Sequence, residues 1–405
     1  MGDAQLDAHL RRRVGRLLLR PVPRLRSAAS RRLRPARPRW AAVASALAIG
    51  VAACGDPPPP VAVDAPASVE GSDPNPASTT PAITPTALRF RAVGDVMLGS
   101  TYPEPRLPPD DGRTLLAAVT APLQDADITF ANLEGTLCTA PGVPRCDTRG
   151  AFCYLFKSPP HYAQWLVQAG IDVVSLANNH GNDFGPDCRT ETVAALEAAA
   201  LVGTGARGTF HTVEAHGQRI TVVAFYADPW ANPLLDLNEA AAIVQRAGAT
   251  GDRVVVSFHG GTEGRGAERV PRGPELFQGH PRGDLRAFAR SVIAAGADLV
   301  IGHGPHVLRG MEVVDGRLVA YSLGNFATYG RFSLRGDKGV GAILEATLAP
   351  DGRFVQGRIV ATRQRGQGVP EPDPSGAAIT TLQRLSALDF PETQPKIGPD
   401  GQITP

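Results

Sequence analysis

The sequence predicts a mixed α/β domain built on two sheets, and three observations carry that prediction. Between residues 88 and 301, short apolar runs alternate with helix-length segments, the pattern of βα units that feed a parallel sheet. Beyond residue 310 the pattern changes to paired strands, with Asp315-Gly316 and Asp351-Gly352 as type I′ hairpin signals. Five apolar runs end abruptly in Asp, Glu, Asn or His. Such endings place polar side chains at the carboxyl edge of a sheet, where open α/β sheets gather their ligands.

In chain order, Arg89–Val93 reads as a strand, followed by a helix near Thr114–Leu123 and a strand at Ile128–Ala131. Pro160–Ala169 has proline in its first turn and stops before Gly170, as a helix does. Strand Ile171–Ala177, helix Arg189–Ala200 and strand Arg219–Tyr226 come next, then helix Glu239–Ala247, which ends at Gly248. Strand Val254–Phe258, helix Asp284–Ala295 and strand Asp298–Ile301 complete the alternation. Met311–Val314, Arg317–Leu323, Val340–Leu348 and Phe354–Thr362 are the paired strands. Gln364–Ser375 reads as a loop, Gly376–Leu388 as a short helix, and the last fifteen residues as a tail.

The region before this domain has a different composition. Residues 1–39 hold 12 arginines, and the apolar run Ala41–Ala53 follows and ends at Cys54. That run is too short for a stable span and reads as part of a signal peptide, residues 1–53. Small residues just before a cysteine resemble the bacterial lipobox, in which Cys54 would be lipidated and become the new N-terminus. The expected location is therefore outside the cytoplasm, anchored by lipid to the bacterial envelope and facing the periplasm or the cell surface. Residues 54–87, with nine prolines between Gly55 and Pro85, read as a disordered tether. Residues 88–363 form the expected main domain, and 364–405 its loop, short helix and tail.

The net charge of +2 belongs mostly to the leader. Without residues 1–53 the chain carries 29 Lys and Arg against 37 Asp and Glu, a net of −8. A domain of that sign has no global attraction for nucleic acid, which is set aside as a partner. Cys138, Cys146, Cys153 and Cys188 make an even number, which in an exported chain argues for two disulfides. Three pairings exist. Cys138–Cys146 would close a short loop and leave Cys153–Cys188. The spacings lack the Cys-x-x-Cys knuckle of a zinc site.

The polar strand endings bring together Asp95, Glu134, Asn179, His259, His303 and His306. Two carboxylates, an amide oxygen and three imidazoles suit divalent manganese, iron or zinc. There is no Gly-x-Ser-x-Gly elbow, phosphate-binding P-loop or dinucleotide fingerprint in the chain.

These endings lie in an ordered series of motifs. They are Gly94-Asp95-Val96-Met97-Leu98-Gly99, Asn132-Leu133-Glu134-Gly135, and Ala177-Asn178-Asn179-His180 with Asp183 and Gly185. His259-Gly260-Gly261-Thr262-Glu263, Gly302-His303-Gly304-Pro305-His306-Val307 and Tyr321-Ser322-Leu323-Gly324-Asn325-Phe326 follow. The series, over roughly residues 88–348, resembles the CapA family of capsule (poly-γ-glutamate) synthesis proteins, a branch of the calcineurin-like metallophosphoesterases. The resemblance implies a four-layer α/β/β/α sandwich holding two divalent metals. Asp95 would bind the first metal, Glu134 would bridge, and Asn179 and His259 would bind the second. His303 and His306 would supply one imidazole to each. His180 would be the acid outside the ligand set, oriented by Asp183. Asn132, Asn178, Glu263 and Asn325 would contact substrate or support the ligands, Glu263 through His259 or an ion pair with Arg265 or Arg269.

The chain departs from the wider superfamily at Met97, where histidine is usual, and at Glu134, where aspartate is usual. Gly260 stands where the family often has tryptophan, so an aromatic wall of the cleft is expected to be lost. Arg265, Arg269, Arg272 and Arg282 near this loop would offer a basic patch. The functional expectation is an exported, membrane-tethered, metal-dependent hydrolase of a phosphoester or γ-glutamyl amide. Its partners would be an envelope polymer or its precursor and a polymer synthase or export complex. The alternative is a non-catalytic, metal-stabilised scaffold of such a complex.

Overall fold

The computed structural model describes residues 87–147 and 153–405. The expected leader, Cys54 and the proline-rich stretch to Pro85 lie outside these residues.

Two sheets face one another. The first, of ten strands, runs in the order Lys396–Ile397, Gln402–Thr404, Phe354–Arg365, Val340–Leu348, Leu88–Met97, Ile128–Leu133, Val173–Ser175, Val202–Thr204. Asn325–Thr328 pairs beside Leu88–Met97, and Val369–Pro372 beside Phe354–Arg365. The second, of seven strands, runs Leu308–Val314, Arg317–Leu323, Leu299–His303, Arg253–His259, Gln218–Tyr226, His211–Ala215, with Asn232–Pro233 at its margin.

Side chains alternate across a strand, so a run that is apolar throughout feeds two cores at once. Leu88, Phe90 and Ala92 meet Val222, Val255, Ile301 and Leu318 in the core between the sheets. Val93 and Val96 instead face the helical layer that contributes Leu123, Leu166 and Leu196. Val254, Val256 and Phe258 meet Ile243, Phe288 and Val292 of helices Leu237–Gly248 and Leu285–Ala294 on the far side. The result is the expected α/β/β/α sandwich. Of those helices, the second starts where expected, capped by Asp284, which accepts from Ala287 N; the first starts two residues before the expected Glu239, because Asp236 caps it by accepting from Asn238 N and Glu239 N.

Several elements differ from the sequence reading. The helix expected at Thr114–Leu123 is a 3₁₀ turn at Ala117–Val119 followed by a short α-helix at Thr120–Gln124. Pro122 lacks an N–H and is tolerated only in a first turn, so the helix starts late. Asp315-Gly316 has positive φ at both residues, as a type I′ turn requires. At Asp351-Gly352 only Gly352 does, and Gly352 N bonds to Ala349 O, giving a longer loop.

The segment 364–405 is not a loop, short helix and tail. Gln364 and Arg365 continue a strand, and Val369–Pro372 folds back on it. The helix forms at Ala377–Asp389 as expected, and the last residues make a hairpin whose Ile403 is fully buried. Single apolar residues such as Ile397 and Ile403 give no periodicity, so only the sheet edge reveals their role.

The disulfide pairing is also corrected. Cys138 is bonded to Cys188, and Cys146 to Cys153. Helix Pro186–Ala198 packs beside Thr136–Leu137, where Thr192 Oγ1 accepts from Leu137 N, and this brings Cys188 to Cys138. Cys146 and Cys153, neighbours in sequence, pair with each other, and the helix that carries Cys188 across the loop decides the other bond.

Candidate metal centre

The fold brings the carboxyl ends of parallel strands from both sheets to one place. In the first sheet Asp95 lies opposite Asn132, and Asn132 opposite Ser175. In the second sheet His259 lies opposite His303. The chain at the end of Leu88–Met97 needs its glycine, because a Cβ at Gly94 would sit 1.9 Å from Gly324 O, the carbonyl that accepts Asp95 N–H.

The expected ligands gather at this junction. His306 Nδ1 lies 3.0 Å from Asp95 Oδ2, and His303 Nδ1 3.5 Å from Asp95 Oδ1. Glu134 Oε1 is 3.6 Å from His306 Nε2 and 3.8 Å from His259 Nε2. Asp95, Glu134 and His306 offer atoms within 4.8 Å of one another. Asn179 stands at the cleft edge of the group, with its Oδ1 buried.

The strongest sign of a cation here is what these atoms lack. Both oxygens of Glu134, Asn179 Oδ1, His259 Nε2 and both ring nitrogens of His303 are buried without a hydrogen-bond partner. A buried polar atom left unpaired costs about 1–3 kcal/mol, and more if charged, so a cluster of them at one point fits a metal centre.

Protonation follows the same logic. Burial pushes the Glu134 carboxyl well up. Burial raises Asp95 as well, but the imidazoles of His303 and His306 beside it outweigh that and hold it low. Burial lowers His306, yet Glu134 and Asp95 together push it up to about 10. Burial and the nearby Arg282 keep His259 well below its usual value, so it is neutral and able to ligate. A divalent cation would replace the protons gathered by these carboxylates.

The supporting residues have clear partners. Asn132 Nδ2 donates to Asp95 Oδ1 (2.9 Å) and reaches His259 Nδ1 at 3.3 Å. Asn178 Nδ2 donates to Asn132 Oδ1 and to Leu133 O, and its Oδ1 accepts His180 N–H. Asn325 Oδ1 accepts from His306 Nδ1 (3.0 Å), so Asn325 orients a ligand. Met97 is buried and its sulfur accepts Gly99 N–H.

His180 Nδ1 donates to Asp183 Oδ2 at 2.9 Å. Asp183, fully buried, also accepts from Phe156 N (2.7 Å) and from Arg145 Nε (2.6 Å). His180 lines a cleft of about 780 Å³ together with Asn179, His306, Glu263 and Arg282. With Nδ1 held, Nε2 is the nitrogen left for a ligand.

Two expectations are corrected. Glu263 pairs with neither Arg265 nor Arg269. Its Oε1 is 2.9 Å from Arg282 Nη2, and its Oε2 is 3.7 Å from His306 Nε2. Arg269 instead holds Asp389, and only Arg282 of the four basic residues lines the cleft. Nor does the cleft lack aromatic walls. Phe156, Tyr226, Phe277 and Phe332 supply them, while a Cβ at Gly260 would lie 2.7 Å from both Arg282 O and Leu234 Cδ2. These rings and Arg145 were missed as site residues because they lie outside every ligand motif in the chain.

The family described as bacterial capsule synthesis protein PGA_cap matches residues 89–329, more than half of the chain and a range that includes all six candidate ligands. The chain belongs to this family. Among relatives, it is 30% identical over 181 residues to the capsule biosynthesis protein CapA of Bacillus anthracis, covering 40% of this chain and 41% of that one. It is 25% identical over 251 residues to the PGA biosynthesis protein CapA of Bacillus subtilis, covering 58% and 61%. The matches thus span about half the length of these relatives. Among solved structures, a 5′-nucleotidase precursor from Thermus thermophilus superposes with a TM-score of 0.39 at 14% identity, over 75% of this chain and 60% of that one. So loose a superposition adds nothing to what the sheet order gives.

Proposed function

We propose that this family member is a metal-dependent hydrolase acting in capsule biosynthesis, on an envelope polymer or its precursor such as a poly-γ-glutamate chain. In this reading it is exported and anchored to the envelope through lipidated Cys54, beside a polymer synthase or export complex. The observation that carries the reading is the set of buried, unpaired candidate ligand atoms beside a cleft that Asn179, His306 and His180 line. A scaffold would need the ligands but not a histidine held by a buried carboxylate outside them.

Asp95, Glu134, Asn179, His259, His303 and His306 would hold the metal, two ions of manganese, iron or zinc by the resemblance. When bound, the ions supply Lewis-acid charge beside the scissile bond. The rest is done by this chain. Asn132 and Asn325 fix the ligands, Asp183 fixes His180, and His180 Nε2 delivers a proton to the leaving group. The rings of Phe156, Tyr226, Phe277 and Phe332 form apolar walls of the cleft.

The test is His259→Ala. It removes an imidazole from the ligand set, so bound metal by elemental analysis and turnover of a phosphodiester or γ-glutamyl oligomer should fall together. Metal-loaded wild-type protein that is inert on both substrates, while cells still need it to export capsule, would favour the scaffold.

A further inference from the structure

Two buried or half-buried Arg–Glu pairs of this protein are bidentate. Arg309 meets Glu275 fork to fork, Nη1 to Oε1 and Nη2 to Oε2 at 2.8 Å each, and Arg290 meets Glu312 in the same way at 3.1 Å. Both pairs tie elements together away from the cleft lining. The pair inside the cleft is different. Arg282 Nη2 approaches Glu263 Oε1 at 2.9 Å, yet this buried nitrogen makes no well-aligned hydrogen bond. Only Nε is properly engaged, donating to Gly261 O at 3.0 Å.

The guanidinium is nevertheless held firmly in place. It sits between the rings of Tyr226 and Phe277, 5.9 and 6.0 Å from their centroids, and the residue is only 5% exposed. Its Nη2 occupies the space that a side chain at Gly304 would fill, 3.0 Å from the position of a Cβ there. Gly304 lies in the turn between His303 and His306, so the cation is seated against the metal centre. A desolvated, fixed guanidinium with a poorly matched partner is poised to exchange that partner for a better acceptor.

A second cation stands nearby. Lys338 Nζ lies 3.3 Å from where a Cβ at Gly264 would be, next to Glu263, and among the described residues it has no ion pair or side-chain hydrogen bond. The other cleft cations are committed: Arg145 to Asp183, and Arg331 to the carbonyls of Tyr102 and Glu104. Arg282, paired with Glu263, and Lys338, beside the next residue Gly264, thus stand near one another in the wall of the cleft that His306 also lines.

We propose that Arg282 and Lys338 form an oxyanion subsite beside the metal centre, and that Glu263 guards it by competing for the Arg282 fork. The ligand group is a phosphate or a carboxylate, either of which accepts from a guanidinium fork at two oxygens. The site deepens the hydrolase reading above, because an anion held there lies against the metal ligands, and it rests on that reading for its role in turnover.

The experiment is calorimetric titration of the whole protein with inorganic phosphate in one arm and glutarate in the other, with Mn²⁺ added or withheld. Arg282→Met, which keeps a side chain between the rings, should weaken binding about tenfold or more, the scale of a charged hydrogen bond. Lys338→Met should weaken it as well. Glu263→Gln should tighten it, and that gain should vanish in the Arg282→Met background, which separates release of the fork from a general change in charge. The arm that shows this pattern names the group. If Arg282→Met fails to fold by thermal melt, Lys338→Met and Glu263→Gln still carry opposite signs.

No anion binding in either arm, or weakening by Glu263→Gln, would overturn the subsite. Metal content is measured on the same samples. Anion binding with the expected signs but no bound metal would sink the metal-centre reading and leave the subsite standing. Metal held with the wrong signs would do the reverse.

Discussion

Removing the imidazole of His180 should separate proton transfer from metal binding. Among the described residues no hydrogen bond or ion pair joins the ring to a candidate ligand. The ring donates to Asp183 through Nδ1 and packs on the Phe156 ring at 4.3 Å, while the backbone N–H donates to the Asn178 side chain. In His180→Ala, Asp183 keeps Arg145 and Phe156 N as donors, so no buried carboxylate is left bare. Stability should fall by only about 1 kcal/mol, the centre of the range for single substitutions. Metal content should stay at the wild-type level. Turnover should fall about 10²–10⁴-fold, the scale of a positioned proton donor, or roughly 3–5 kcal/mol in the barrier.

Asp183→Asn sharpens the test. The carboxylate accepts on both oxygens, from Arg145 on one and from Phe156 N and His180 on the other. An amide has only one acceptor oxygen. Placing it toward the buried Phe156 N–H costs only the half-exposed Arg145 its partner, and that orientation should win. Because Asp183 acts through His180, the double variant should turn over no more slowly than His180→Ala alone. Elemental analysis, thermal melts and kcat with kcat/KM on a chromogenic phosphodiester and a γ-glutamyl oligomer give the readouts. Full activity in His180→Ala, or a double variant that loses the product of the two single effects, would refute the assigned roles.

The two disulfides should contribute unequally. In the chain-entropy model Cys138–Cys188, with a separation of 50, is worth about 4 kcal/mol, and Cys146–Cys153, with a separation of 7, about 2.5 kcal/mol. Paired serine substitutions at each bond, compared by denaturant melts, should rank that way, and the reverse ranking would contradict the chain-entropy account. Cys54 should carry lipid in the mature protein, read by mass spectrometry of the N-terminus. An unmodified terminus elsewhere, or equal release of Cys54→Ala and wild type into the soluble fraction, would exclude the anchor.

By itself the sequence indicated the mixed two-sheet α/β core and the candidate ligands at its strand ends. Runs such as Val254–Phe258 are apolar at nearly every position because both faces of the strand are covered, and their polar endings fall where the strand leaves the core. That signal is local, so Asp95, Glu134, His259, His303 and His306 were legible without the fold. So was the His180–Asp183 contact, which spans only three residues.

Only the tertiary structure decided which distant side chains share the cleft. Glu263 turned to Arg282, on a hairpin beyond its own loop, because that hairpin folds under Gly304 and presents its guanidinium between two rings. Cys138 found Cys188 because a helix lies across the loop, and Ile403 joined the core because the first sheet had an open edge. These contacts join residues far apart in sequence, and no local periodicity or motif names the partner. Their energy arises when burial brings them together, and so the packed chain alone could reveal them.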